Sequence, residues 1–143
     1  MIVYKINSKV NSRDVLKLIE QFPQYSWRTP WQTENAIKSS ICNVVAVDEE
    51  NNKLVGIVLA GSPDNAYFVY VHSLMVHPEY QGRGIGLKIM KLLLKECRCK
   101  REGYMDIVCF AAPGARELLE RAGFRKDFGG IQGMILDVKE LNG

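Results

Sequence analysis

The chain carries no long run of charge of one sign. Nineteen lysines and arginines against 16 acidic residues leave a net charge of +3, and the basic residues are scattered. A nucleic-acid footprint needs them gathered on one face, so the charge permits an anionic ligand without calling for a polynucleotide. Long hydrophobic runs are missing as well. No stretch approaches the roughly 18 apolar residues of a membrane span, and the apolar part of MIVYKINSK is too short for a signal peptide. The expectation is a cytoplasmic protein with no membrane partner. Cysteine is scarce: Cys42, Cys97, Cys99 and Cys109. Cys97 and Cys99 stand two apart in a helix-like stretch and so face different ways. Cys42 and Cys109 fall in apolar, strand-like runs, where a free thiol behaves as a small hydrophobe. These spacings suggest neither a metal site nor a disulfide framework, and reduced structural thiols are expected. With no internal repeat, low-complexity tract or linker, residues 1–143 read as a single domain, long enough to bury a real core.

The patterning alternates strands and helices. MIVYKIN reads as a strand, and Asn11 or Ser12 can cap a helix whose Val15, Leu16, Leu18, Ile19 and Phe22 keep helical spacing up to Pro23. PQYSWRTPWQ is aromatic and irregular, and Thr33 can cap a second short helix. CNVVAVDEENNKLVGIVLAG reads as a hairpin, and residues 66–76 form the longest strand candidate, apolar enough to be central. LKIMKLLLKECRCKRE places Ile85, Ile89, Leu92, Leu93 and Cys97 on one helical face, with Lys88, Lys91, Lys95 and Arg98 opposite. YMDIVCFAA is a strand candidate. PGARELLERAG is a short helix with Gly123 as its C-terminal cap, and FRKDFGGIQGMILDV reads as a closing hairpin. The predicted order is β-α-α-β-β-β-α-β-α-β-β: an α/β domain with one central mixed sheet and helices on its faces.

Between the longest strand candidate and the following helix lies HPEYQGRGIG, with glycine at 82, 84 and 86. A strand, a glycine loop and a helix N-terminus together form an arrangement that binds phosphate. The loop exposes backbone N–H groups, the first helical turn adds more, and the positive end of the helix dipole stands behind them. A Rossmann fingerprint would need its third glycine one residue later. A P-loop would need a longer spacing and then Lys-Ser/Thr, where Leu87-Lys88 follows Gly86 here. A tight structural turn is the alternative reading of the same residues.

VHPEYQGRGIG resembles the acetyl-coenzyme A signature Q/R-x-x-G-x-G/A of the GNAT N-acetyltransferase superfamily, matched by Gln81, Gly84 and Gly86. Leu74, Val76 and Pro78 before it, and ELLERAGF ending in Gly123-Phe124, fit the same family. The resemblance implies a twisted, mostly antiparallel sheet of about seven strands flanked by about four helices and splayed between strands 4 and 5. Acetyl-coenzyme A would be the acetyl donor, with no metal. The donor's pyrophosphate would lie on backbone N–H groups of Gln81, Gly82, Arg83, Gly84, Ile85, Gly86 and Leu87, and its pantetheine arm on the main chain of Leu74, Met75 and Val76.

The implied reaction is direct attack of an amine on the thioester. An alkyl ammonium with a pKa near ~10.4 must first lose a proton. His72 is the candidate base, with Tyr70 and Ser73 weaker; a half-buried, hydrogen-bonded strand histidine is the alternative for His72. His77 reads as a surface residue. Many relatives carry a tyrosine five residues before the Phe of the Gly-Phe pair, as proton donor to the leaving thiolate; Leu119 stands there, and Ala112 stands where an asparagine is common. Tyr104 is a remote substitute. Tyr25, Trp27, Arg28 and Trp31 fall where the family builds its acceptor wall, so Tyr25, Trp27 and Trp31 are candidate substrate contacts, with core packing as their alternative. A minimal domain without an added recognition module suggests a small-molecule amine or polyamine as acceptor rather than a protein N-terminus or lysine, and a homodimer is compatible with the resemblance.

Overall fold

A computed structural model of the protein describes residues 1–142. Its contacts group into two compact units, Met1–Cys109 and Phe110–Gly143.

The first unit is a five-stranded sheet with helices on both faces. In chain order it comprises β1 (Ile2–Ile6), α1 (Ser12–Ile19), α2 (Pro30–Ser39), β2 (Cys42–Asp48), β3 (Lys53–Gly61), β4 (Phe68–Val76), α3 (Ile85–Cys99) and β5 (Asp106–Cys109). The strands lie in the order β1-β2-β3-β4-β5, antiparallel throughout except for the parallel pair β4–β5. Asn11 caps α1 as its sequence suggests, its side chain accepting from the Arg13 N–H at 2.8 Å. The second helix starts one turn earlier than Thr33. Thr29 and Gln32 form a reciprocal capping box and Pro30 occupies the first turn, so Thr33 lies inside the helix and is buried.

Alternate residues of β2 and β3 serve opposite faces. Val45, Ile57 and Leu59, with Met75 of β4, pack against Val15, Leu18 and Ile19 of α1. On the other face α3 buries Ile85, Ile89, Met90, Leu93 and Cys97, each large side chain contributing about 1.5–3 kcal/mol on leaving water. Val55 to Ala60 are all buried and β3 holds the middle of the sheet, with β4 also interior, paired on both sides. Gly56 sets the approach of α3. A Cβ there would stand 3.3 Å from both Ala46 Cβ and Ile85 Cγ2, so the bare backbone seats the first turn of the helix on the sheet. All four cysteines are free thiols, Cys97 buried and Cys99 exposed on opposite sides of α3. No helix among the described residues is long and apolar enough to cross a membrane.

The second unit holds α4 (Arg116–Arg121) and two 3₁₀ turns, Phe128–Gly130 and Val138–Asn142. Gly123, at φ 107°, ends α4, with the Phe124 N–H donating to the Leu119 carbonyl as a C-terminal cap. The hairpin expected around Gly129, Gly130 and Gly133 does not form. Residues 131–137 carry no strand ladder, and Ile131, Met134, Ile135 and Leu136 are exposed. Among the described residues the structure therefore has five strands and four α-helices, not about seven strands. The apolar alternation that suggested two more strands needs a paired edge to become a ladder, and these residues have none.

Candidate active site

The glycine stretch folds into a loop that delivers α3. After β4 comes a 3₁₀ turn, Pro78–Tyr80, then Gly82 at φ 78° and Gly84 at φ 81°. Both glycines occupy the left-handed region, which a side chain would strain. Gly84 is the N-cap of α3 and has no side chain to satisfy the helix end. The first intrahelical acceptor is the Gly84 carbonyl, taken by the Lys88 N–H. The N–H groups of Ile85, Gly86 and Leu87 thus stand before the first hydrogen-bonded turn, as the opening of any helix requires, with the dipole's positive end at the loop.

Side chains pin this loop in place. Gln81 Nε2 donates to the Val76 carbonyl at 2.9 Å, fastening the loop to the end of β4. Arg83 folds back, its Nη2 donating to the Glu79 carbonyl and its guanidinium 5.0 Å from the Tyr80 ring centre. The buried Tyr80 donates its hydroxyl to Asp48 Oδ2 at 2.5 Å, and this bond, with another from Asn51, holds the Asp48 carboxyl down at about 2. His77 is buried rather than on the surface. Its Nδ1 accepts from the Glu79 N–H, capping the 3₁₀ turn, and its ring meets Tyr80 edge-on.

Strand β4 is irregular where it matters. Ile57 faces Met75 and Leu59 faces His72, so Val58 alone opposes two residues of β4 and a bulge lies at Ser73–Leu74. Ser73 takes φ 59°, a left-handed conformation uncommon for a residue other than glycine. In a regular strand successive side chains point to opposite faces; here His72 and Ser73 both line one cavity. The parallel pairing with β5 stops at Val71–Cys109. Beyond it, residues 72–76 of β4 have no β5 partner among the described residues. The resemblance places a splay between the fourth and fifth strands, with the fifth ending near Ala112; β5 ends at Cys109.

The cavity, of about 250 Å³, lies between α1, α2 and the bulge. Val15, Ile19, Ala36, Ile37 and Leu59 make its apolar wall, and Trp27, Arg28, Gln32, Thr33, His72 and Ser73 supply the rest. Arg28 Nη1 donates to Ser73 Oγ at 3.2 Å, and His72 Nδ1 lies 2.9 Å from the same oxygen. The His72 ring stacks on Tyr70, centroids 5.2 Å apart. Burial first, and then the Arg28 charge, push the His72 pKa below its usual value near 6.5, so the imidazole is neutral and able to accept a proton at neutral pH. Burial raises the Tyr70 phenol and keeps it protonated, which makes it a poor base.

Of the residues expected on the acceptor wall, Trp27 lines this cavity. Tyr25 packs partly into the core and lies beneath Arg28, whose guanidinium is 4.4 Å from its ring centre. Trp31 is exposed on α2 and is not among the lining residues. Leu119 is buried in α4 and has no proton to give. Tyr104, exposed, precedes the start of β5 opposite Phe68, four residues along β4 from His72, and is poorly placed to replace it. Ser73, a weaker candidate base by sequence, lines the cavity through the bulge; Thr33, read as a cap, escaped the sequence and presents a buried Oγ1 with no hydrogen-bond partner.

Comparison with known proteins agrees with this architecture. The family described as Acetyltransferase (GNAT) family matches residues 12–124, a span that runs from the first unit into the second. The uncharacterized N-acetyltransferase ycf52 of Porphyra purpurea is 31% identical over 96 residues, 67% of this chain and 53% of that protein. The chain thus spans about half the length of this curated relative. A GNAT family acetyltransferase from Streptococcus pneumoniae superposes with a TM-score of 0.74 at 25% identity, covering 96% of this chain and 98% of the other. A Brucella melitensis GNAT acetyltransferase, solved in complex with acetyl-CoA, gives 0.65 at 17% identity over 87% of this chain and 83% of its own.

Proposed function

From the premise that the chain belongs to the acetyltransferase (GNAT) family, we propose that it transfers the acetyl group of acetyl-coenzyme A directly to a primary amine of a small molecule. The observation that carries this reading is the junction at β4, where main chain without a β5 partner, a dipole-backed N–H loop and a half-buried neutral histidine meet on one strand and its exit. The family span crosses both compact units, which supports treating residues 1–143 as one catalytic domain.

The donor supplies an activated acyl group as a thioester. The N–H groups from Gly82 to Leu87 would hold its pyrophosphate, and Gln81 would serve by fixing the loop to Val76. The main chain of Leu74, Met75 and Val76 would receive the pantetheine arm, its N–H donors polarising the thioester carbonyl. Arg83 adds positive charge beside the loop although its side chain is turned onto the 3₁₀ turn. His72 would take one proton from the acceptor ammonium. A hydroxyl oxygen has two lone pairs, so Ser73 Oγ can accept from both Arg28 and a protonated His72 Nδ1, leaving Nε2 bare as the base. The new C–N bond forms as the C–S bond breaks and the thiolate leaves; the nitrogen gives its second proton to that thiolate through solvent, and with a thiol pKa near ~8.5 the thiolate can leave without the acid that Leu119 does not provide. The cavity is below the ~300–1,000 Å³ of pockets for drug-sized ligands, which favours a small acceptor over a protein segment. Free thiols support a reducing compartment, cytoplasmic in our reading.

The test is to mix purified protein with acetyl-coenzyme A and a panel of amines and follow the free thiol. Release that depends on the amine is expected. Tight donor binding with no turnover on any amine would overturn catalysis. It would favour a second reading, a non-catalytic acyl-coenzyme A sensor or partner-binding module, which the buried Leu119 at the usual donor position supports.

A further inference from the structure

The cavity beside His72 has a charge that does not suit a simple amine. None of its lining residues is an aspartate or glutamate, and its one charged side chain is Arg28. A site built for a polyamine would place carboxylates against the acceptor's ammonium groups, because unmatched like charge in a cavity is costly. The guanidinium here is half-buried, and burial lowers its pKa. Its partners are a neutral hydroxyl, Ser73 Oγ, and the faces of Tyr25 and Trp27 at 4.4 and 5.5 Å. No acidic residue pairs with it among the described residues. A planar guanidinium held between aromatic faces, with hydrogen-bond donors to spare and no counter-ion, is arranged to receive an anion.

Its position relative to the base decides which anion. Arg28 Nη1 and His72 Nδ1 touch the same serine oxygen, so the two groups lie within two hydrogen-bond lengths of each other. One α-amino acid can span them, its carboxylate on Arg28 and its amine toward His72. Val15, Ile19, Ala36, Ile37 and Leu59 form an apolar wall for the side chain, and the Oε1 of the lining Gln32 is already engaged by the Thr29 N–H. Thr33 Oγ1, buried and unpartnered in the same lining, has hydrogen-bonding capacity that a bound polar group would satisfy.

We propose that the acceptor is an α-amino acid with an apolar side chain, its carboxylate bound by Arg28 in the cavity next to His72. This rests on the acetyltransferase reading and narrows it. Arg28 then has two effects. It orients the amine toward the base, and its positive charge disfavours the ammonium form of the acceptor relative to the neutral amine.

The experiment compares L-leucine with 3-methylbutylamine, the same skeleton without the carboxylate, on wild type, Arg28→Gln and Arg28→Lys. Free thiol release gives kcat/KM. Titration calorimetry on protein saturated with coenzyme A gives binding without chemistry. Wild type is expected to prefer leucine by about tenfold or more, and Arg28→Gln to lose about 10- to 100-fold more on leucine than on the amine. Arg28→Lys should recover part of the loss, because it keeps the charge without the planar fork. Equal use of both acceptors by wild type, or an equal loss on both in Arg28→Gln with Arg28→Lys unaffected, would overturn the proposal while leaving an active transferase. If no acceptor turns over, the transferase reading fails separately and the calorimetry still decides. Leucine binding that Arg28→Gln abolishes supports the carboxylate site, and no leucine binding to wild type overturns it.

Discussion

At the scale of single residues, His72 and Ser73 are neighbours in sequence that share a cavity because the strand between them is bent. The left-handed φ of Ser73 is a strain of roughly 1–3 kcal/mol, held by the ladders on either side of the bulge. Ser73→Gly should therefore fold at least as well as Ser73→Ala in urea titration, since glycine adopts φ 59° freely. Both should lose activity alike with the bridging hydroxyl. A Ser73→Gly variant clearly less stable than Ser73→Ala would mean that the bulge is not strained. His72 makes a separate prediction. Its pKa is depressed, so the imidazole is protonated, and useless as a base, only on the acid side of 6.5. The rate should rise with pH through an inflection below 6.5 and then hold. Arg28→Gln removes one of the two depressing causes and should move that inflection upward on an acceptor without a carboxylate. His72→Ala should lower kcat by about 10²- to 10⁴-fold and erase the inflection. An unchanged profile in His72→Ala would remove its role as base.

At the scale of elements, the glycine loop depends on a bond made from below. Tyr80 reaches from the 3₁₀ turn to Asp48 at the end of β2, tying the loop to the sheet independently of Gln81 and Val76. The Asp48 carboxyl is depressed to about 2 in the fold against about 3.9 in the unfolded chain, so this bond stabilises above pH ~4 and is lost as pH falls toward 2. Tyr80→Phe should be less stable than wild type at pH 7, with the difference narrowing through that window, and should bind coenzyme A more weakly. A constant difference from pH 7 down to pH 2 would mean that the phenol does not act through Asp48. Neither this strut nor the seat of α3 on Gly56 was legible in the sequence, because each joins residues far apart whose partners only the folded sheet reveals. What was legible has a local cause. Asn11, Gly84 and Gly123 act within a few residues of themselves, and the strand-loop-helix order around Gln81 to Gly86 is written in periodicity. Local reasoning also misread what tertiary contacts decide: Thr33 as a cap, His77 as a surface residue, and apolar residues 131–136 as paired strands. The acceptor cavity lay between these extremes. Its aromatic segment was visible, but its chemistry rests on Arg28 meeting a serine 45 positions away.

At the scale of the whole molecule, contacts divide the chain at Cys109 while the family span runs through that boundary. Ligand linkage can weigh the two descriptions. A donor that binds only the folded protein stabilises it by about 2.7 kcal/mol at 100 times its Kd, enough to raise the Tm by roughly 5–15 °C in a chain of this size. The loop that would bind it lies wholly in the first unit. If residues 1–143 melt as one domain, calorimetry should show a single transition that moves upward as a whole with acetyl-coenzyme A. Two transitions, only one of which responds, would make the second unit an independent part and remove the single-domain reading. Gly84→Val provides the control. Nothing lies within 4 Å of a Cβ at Gly84, so space is available, but φ 81° is strongly unfavourable for a β-branched residue. The variant should fold with a distorted helix start, bind the donor at least tenfold more weakly, and lose most of the ligand-induced shift. A full shift in Gly84→Val would show that the donor is held somewhere other than the N–H groups that this glycine turns toward it.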